Sequence, residues 1–247
     1  MAQVNGSVGG SPRIRRVGVR QILLRLFPRS AYRVVWNWEA RTRTHARVFV
    51  SGTAEEAEWL RSGQSTADDV AREARVTPAD TVLEIGCGAA RVGRHLAPRC
   101  RQWIGADVSP RMLRHAAREL VGLQNVRLEP LSGHDLVGFA DDSIDVVYCT
   151  GVFMHLDEWD RYDYVAEAFR VLRPGGRLYI DNFTLTGDEG WALFLDMRRY
   201  APRCRPLNIS KASTPEELRV YAERAGFGAI RVRAGSLWVS VFAEKGR

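Results

Sequence analysis

Lysine is nearly missing from this chain: Lys211 and Lys245 stand against 34 arginines. Arginine is therefore the default cation, and an arginine-rich face is not in itself a special device. Long apolar runs are also missing. None approaches the roughly 20 residues that span a bilayer, and the N-terminus lacks the compact apolar stretch and small-residue cleavage site of a signal peptide. The chain reads as cytoplasmic. Cysteine is sparse: Cys87, Cys100, Cys149 and Cys204 are far apart, with no Cys-x-x-Cys pair and no His/Cys cluster at ligand spacing. That excludes a disulfide framework and gives no metal site; free thiols in a reducing compartment are the plain reading.

Acid is missing from one stretch. Residues 1–50 hold ten arginines and the single acid Glu39, a charge of +9, while the other 197 residues sum to −2. The body is near neutral, so a nucleic-acid reading based on the overall +7 would be misplaced. Residues 1–12 are Gly/Ser-rich and read as disordered. Residues 13–28 mix arginines with Ile14, Val17, Ile22, Leu23, Leu26 and Phe27 at near-helical spacing until Pro28 stops the pattern. Three readings stay open for residues 13–29. They are a solvated face, weak attraction to an anionic membrane, and contact with a partner protein or phosphorylated acceptor. No aromatic-interleaved basic patch accompanies them, so no nucleic acid partner is expected.

Downstream, the pattern becomes regular. Residues 30–62 read as helical, and 66–76 as a short amphipathic helix before the Thr77-Pro-Ala-Asp80 turn. Strands are expected at 81–85, 102–106, 126–129, 144–149 and 176–183, with a final pair at 230–233 and 237–243. Helices are expected near 89–98, 110–120, 158–172 and 214–225. Ser109-Pro110 and Ser213-Thr-Pro-Glu-Glu217 are helix starts, and Ala225-Gly-Phe227 is a stop.

The densest chemistry lies in Val82-Leu-Glu-Ile-Gly-Cys-Gly-Ala-Ala-Arg91, followed by Gly105-Ala-Asp107. It reads as a buried strand, a glycine turn opening a helix, and a second strand ending in an acid. Gly86 and Gly88 let backbone approach a ligand, and Asp107 stands where a carboxylate can accept both hydroxyls of a ribose. Two details separate this turn from a dinucleotide fingerprint. Glu84 puts an acid inside the strand, where it suits a cation better than a pyrophosphate, and Ala90 occupies the third small position.

With Leu172-Arg-Pro-Gly-Gly-Arg-Leu178, these residues resemble the class I S-adenosylmethionine-dependent methyltransferases, over about Thr81 to Gly246. The resemblance implies an α/β fold: a seven-stranded, mostly parallel, doubly wound sheet with helices on both faces and an antiparallel C-terminal strand pair. To this is added an N-terminal helical extension, giving a basic cap at 1–65 and a methyltransferase domain at 66–247. The implied cofactor is S-adenosyl-L-methionine. Glu84, Gly86 and Gly88 would line its methionine moiety, with Cys87 and Cys149 as small residues close by, and Asp107 would hold the ribose. Val108 would lie on the adenine, with Met112 either a further wall or a helix core residue. In the third strand's loop, Asp135 with Leu136 is the expected adenine contact, His134 the alternative.

Cys149-Thr-Gly-Val-Phe-Met-His155 would pass beneath the sulfonium. His155 is the candidate general base, since neutral imidazole accepts an alcohol or phenol proton near pH 7; local packing is its bland reading. Asp157 reads as a helix cap more readily than as an acid. Residues 182–212, with Asn182, Phe183, Trp191, Phe194, Tyr200 and Asn208, are the expected acceptor wall. One of Trp36 and Trp38 would complete it. The expected function is methyl transfer to a small-molecule acceptor, most readily O-methylation of a specialised metabolite. A membrane-surface lipid or quinone-precursor methyltransferase, a non-catalytic cofactor-binding protein, and a cyclase on the same fold are the alternatives.

Overall fold

The computed structural model describes residues 28–206 and 208–247. Most of the basic segment 13–29, and the readings attached to it, thus lie outside the described residues. Three helices come first: α1 (Pro28–Glu39), α2 (Arg43–Ser51) and α3 (Glu56–Glu73). There follow β1 (Thr81–Ile85), α4 (Gly93–Leu96), β2 (Gln102–Asp107), α5 (Pro110–Glu119), β3 (Val126–Pro130) and β4 (Ile144–Cys149). The rest is α6 (Glu158–Val171), β5 (Leu172–Phe183), α7 (Asp188–Arg198), α8 (Pro215–Ala225), β6 (Gly228–Ala234) and β7 (Trp238–Glu244). No helix among the described residues is long and apolar enough to cross a membrane.

The strands form one sheet in the order β3-β2-β1-β4-β5-β7-β6, parallel as far as β5 and antiparallel at β7 and β6. The expected seven-stranded fold is the one observed. Chain order reverses between β1 and β4, which opens a crevice beyond their carboxyl ends. Every residue of β1 is buried, as a central parallel strand covered on both faces requires. One face packs Leu83, Val147 and Ile180 on Val165 and Ala168 of α6 and on Leu218 of α8. The other packs Val82, Trp103 and Tyr148 on Ala67 and Val70 of α3. Trp103 fits because two neighbours lack side chains: a Cβ at Gly93 or Gly105 would lie 2.1 or 2.2 Å from its ring.

Two differences from expectation have local causes. The strand expected at 176–183 begins earlier, since Leu172 pairs with Ile144 before the register shifts and resumes at Arg177 opposite Val146. Gly175, at φ 77°, absorbs the irregularity. In addition, Ser62-Gly-Gln-Ser65 is no helix break. The expected boundary at 65/66 falls inside α3, which runs unbroken from Glu56 to Glu73. Tertiary contact overrides propensity here, because Gly63 lets α3 lie against the backbone of Arg91.

That contact sets a test. A Cβ at Gly63 would sit 2.3 Å from the Arg91 carbonyl oxygen. Gly→Ala inside a helix ordinarily stabilises; here Gly63→Ala should destabilise by about 1–3 kcal/mol, the scale of an overpacked contact. Thermal unfolding would read this as a lower midpoint, and a raised midpoint would show that α3 does not bear on the turn.

Candidate active site

The glycine turn leaves β1 with Gly86 at φ 72°, Gly88 at φ 53° and Ala90 at φ 59°. Alternating left-handed residues curl the chain tightly, and Ala90 holds that conformation against the steric preference of a side chain. Gly86 and Gly88 are approached closely, but by protein: ideal Cβ atoms there would lie 2.3 Å from Val152 and 2.8 Å from Val50. The turn is pinned to β2 by the amides of Gly86 and Cys87, which both donate to the Ala106 carbonyl at 2.8 and 3.0 Å.

Above the turn is a cavity of about 810 Å³ of empty space, its mouth included. Glu84, Gly86, Cys87, Gly88, Asp107, Val108, Met112 and His155 all line it. Met112 is also buried in the packing of α5, so its two readings coincide. Asp135, Leu136 and Cys149 do not line it. Leu136 is buried in the core, its amide donating to Glu167 Oε2 at 2.9 Å. The Asp135 carboxylate is taken by Ser132 Oγ at 2.7 Å and lies 3.1 Å from His134 Nε2. Leu131 and Gly133 of the same loop stand at the cavity instead. Cys149 is still within the core at the end of β4, and Thr150 and Gly151 beyond it reach the site.

The largest departure concerns the acceptor wall. None of the described residues in 182–212 lines the cavity; α1 and α2 supply Tyr32, Trp36, Phe49 and Val50. Trp36 is the inward tryptophan, and Trp38 is 65% exposed. Tyr32, Trp36 and buried Ala40 recur at four-residue steps, one helical face. Asn37 fixes this helix to α5, accepting from Ser109 Oγ at 2.8 Å, while Arg111 Nη1 donates to its carbonyl at 3.0 Å. Glu119, nearly buried, gathers Arg43, Arg47 and Arg94 at 2.7, 3.4 and 3.2 Å. Part of the N-terminal arginine excess thus anchors the helical cap to the body. In the 182–212 stretch Asn182 is buried and donates to Ser213 Oγ at 2.8 Å, and Phe183 packs on Trp238.

The electrostatics are those of buried acids. Tyr148 donates to Glu84 Oε2 at 2.5 Å and itself accepts from Trp103 Nε1 at 2.9 Å. Burial nevertheless pushes Glu84 up to about 8. Asp107 accepts from the amides of Gly88 and Ser109 at 2.9 and 2.7 Å, and burial raises it to about 6. Asp181 of β5 accepts from the Gly151 amide at 2.8 Å, and burial raises it to about 7. Arg91, which also lines the cavity, donates to Thr66 Oγ1 at 3.1 Å, and its buried Nε has no partner among the described residues. Its position as the first cation after the glycine turn is the sequence signal that could have marked it.

His155 Nδ1 lies 2.9 Å from the Asn208 carbonyl, so that nitrogen carries the hydrogen and Nε2 is left with its lone pair. Its ring meets Trp36 edge-on, centroids 4.7 Å apart. Burial lowers it to about 4, which keeps the imidazole neutral. Asp157 caps α6, accepting from the Asp160 amide at 3.0 Å.

Comparison with known proteins agrees with this architecture. The methyltransferase-domain family matches residues 83–180. Among curated relatives, the tRNA U34 carboxymethyltransferase of Hahella chejuensis is 29% identical over 61% of this chain and 45% of its own length. The arsenite methyltransferase of Halobacterium salinarum is 32% identical over 64% and 40%. The demethylmenaquinone methyltransferase of Tropheryma whipplei is 32% identical over 44% of each. The chain thus spans less than half the length of each of these relatives. In fold, a SAM-dependent methyltransferase from Aquifex aeolicus superposes with a TM-score of 0.55 at 22% identity, covering 72% of this chain and 88% of that one. The [4+2]-cyclase SpnF superposes with a TM-score of 0.58 at 16% identity, covering 74% and 80%. Motif, sheet order and domain match agree: this chain carries a class I, Rossmann-like S-adenosylmethionine-dependent methyltransferase domain.

Proposed function

We propose that the protein transfers the methyl group of S-adenosylmethionine to a hydroxyl oxygen of a small-molecule acceptor, in the manner of specialised-metabolite O-methyltransferases. The observation that carries this reading is a neutral His155 beside Trp36 in a cavity walled by the cap helices. Helices α1 and α2 act as that cap. A macromolecular acceptor would have to displace helices tied to the body through Asn37 and Glu119, whereas a small one fits the cavity.

The residues suit the cofactor. Glu84, buried, and Asp181, half-buried, are acids without an ion-pair partner among the described residues, a setting that favours a cationic ligand. Arg91, with its unpaired Nε, would take the methionine carboxylate, Asp107 the ribose hydroxyls, and Val108, Met112 and Leu131 the adenine faces. The bound cofactor supplies an electrophilic methyl group and its own leaving group. The chain's part is to align the acceptor, exclude water and hold a proton. Tyr32, Trp36 and Phe49 pack around the acceptor, and His155 Nε2 accepts its hydroxyl hydrogen. Asn208, holding Nδ1, fixes the tautomer for that role.

Transfer of a labelled methyl group tests the proposal, read on a panel of matched phenols, alcohols, amines and thiols. Label in the product is the informative signal, because a cyclase would consume substrate without it. Labelling of hydroxyl acceptors is expected, and labelling confined to amines or thiols would overturn the oxygen assignment. His155→Ala should then lower turnover about 10²-fold or more, the scale of a lost general base, and leave cofactor affinity within about threefold. Equal turnover would remove His155 from the chemistry. Because His155 is neutral down to about pH 4, activity should not fall through the ordinary imidazole range near pH 6.5.

The raised acids give a second prediction. In the ligand-free protein, Asp107, Asp181 and Glu84 keep protons to about pH 6, 7 and 8. The unfolded chain loses them near pH 4, so the folded state binds more protons in this window and its stability falls as pH rises through it. A cationic ligand favours the ionised acids, so binding should release protons and tighten from pH 6 to pH 8. Calorimetry at pH 7 in two buffers of different ionisation enthalpy would show the release. Identical heats would mean that the acids are already ionised before binding.

A further inference from the structure

Helix α7 is explained neither by the fold nor by the cavity. Gly190 is its one buried residue, while Trp191, Phe194, Leu195 and, just beyond, Tyr200 are each 40% or more exposed. The helix is pressed to the sheet edge through its backbone. Cβ atoms at Gly187 and Gly190 would lie 2.3 and 1.8 Å from the carbonyl oxygens of Ser236 and Thr184, and the Gly190 amide donates to Ser236 at 2.9 Å. Trp191 and Phe194 stack with centroids 5.1 Å apart, forming an aromatic ledge turned to solvent. Contiguous exposed apolar groups of this kind mark an interaction surface.

Charge identifies what it meets. From Met197 to Ser213 the chain has no acid, and Arg198, Arg199, Arg203 and Arg205 are exposed. Of these, only Arg199 has an acidic partner among the described residues, Asp196 at 2.8 Å. We propose that α7 and the arm following it, residues 191–205, are a docking surface for an anionic lipid membrane. The aromatic rings enter the headgroup boundary and the arginines hold lipid phosphates. Trp and Tyr are the side chains that favour such a boundary, and guanidinium pairs with phosphate in two-pronged fashion. A second copy of the chain fits less well, since a two-fold contact would set the arginine run against itself. The surface lies apart from the cavity lining, so this inference does not rest on the acceptor assigned above.

Cys204 provides a local probe, because the other three cysteines are buried and it alone is exposed. The full-length chain would carry a polarity-sensitive fluorophore there and be mixed with phosphatidylglycerol or phosphatidylcholine vesicles. Sedimentation with the first and not the second is expected, with a blue shift of the probe and weakening by salt. A Trp191→Ser/Phe194→Ser/Leu195→Ser variant should bind at least tenfold more weakly. Each substitution in Arg198→Gln/Arg203→Gln/Arg205→Gln should weaken binding about fivefold. Both variants should keep the wild-type unfolding midpoint and cofactor affinity, which separates lost docking from lost fold. Vesicle binding without a probe shift, or undiminished in both variants, would place the contact elsewhere and overturn the proposal. So would an absence of vesicle binding, and so would an acidic protein cross-linked through Cys204 in its place.

Discussion

The structure depends on keeping an ionisable carboxyl group, Glu84, inside a central strand that is buried on both faces. Moving this group from its ordinary 4.5 to about 8 corresponds to roughly 5 kcal/mol of preference for the protonated form. That is what remains after one hydrogen bond from Tyr148 has offset part of the burial cost; Tyr148 is itself held by Trp103, which fits only because Gly93 and Gly105 make room. Core packing on one face of the sheet is thereby coupled to the charge state of the site. A residue that looks like filler, Trp103, orients the group that orients the acid.

Asp107 and Asp181 repeat the arrangement with backbone donors. Their amides come from Gly88, Ser109 and Gly151, each at the end of a strand where the chain turns. Three acids raised by burial and held mainly by neutral donors form an environment organised for positive charge before any ligand arrives. Arg91 lies beside them without a direct ion pair, near enough to moderate Glu84 and Asp181 yet left with a free donor.

Sequence reasoning reached as far as local signals reach. β1, β2 and β4 are mainly apolar runs carrying one or two polar residues each, and α5, α6 and α8 begin at Ser109, Asp157 and Thr214, whose side chains accept the expected capping bonds. The acids within those strands and the glycines just past β1 stand in fixed register with them, and Glu84, Gly86, Gly88 and Asp107 all come to the cavity. Beyond the third strand no such register holds, and a few residues separate Leu131 and Gly133 at the cavity from Leu136 in the core. Gly63 read as an interruption because its reason, the Arg91 backbone, lies 28 residues away. The cap was the hardest to read: what brings Tyr32 and Trp36 to the site is docking on Ser109, Arg111 and His115, more than 70 residues downstream.

That division separates what the family shares from what this chain decides for itself. Glu84 and Asp107 need only local geometry and lie within the region matched by the methyltransferase-domain family, while the relatives are named for different substrates: tRNA, arsenite and demethylmenaquinone. The helices that supply the cavity's aromatic wall, α1 and α2, lie instead outside the matched region 83–180. They are anchored by contacts that leave the inward face free to vary, since Asn37 and Arg43 bind the body while Tyr32, Trp36 and Phe49 face the cavity. Changing those three side chains would reshape that wall without touching the Tyr148–Glu84 bond, yet the cap is not independent of the glycine turn: Val50 packs on Gly88, Trp36 and Val50 pack with Met112, and Asn37 holds Ser109, whose amide donates to Asp107.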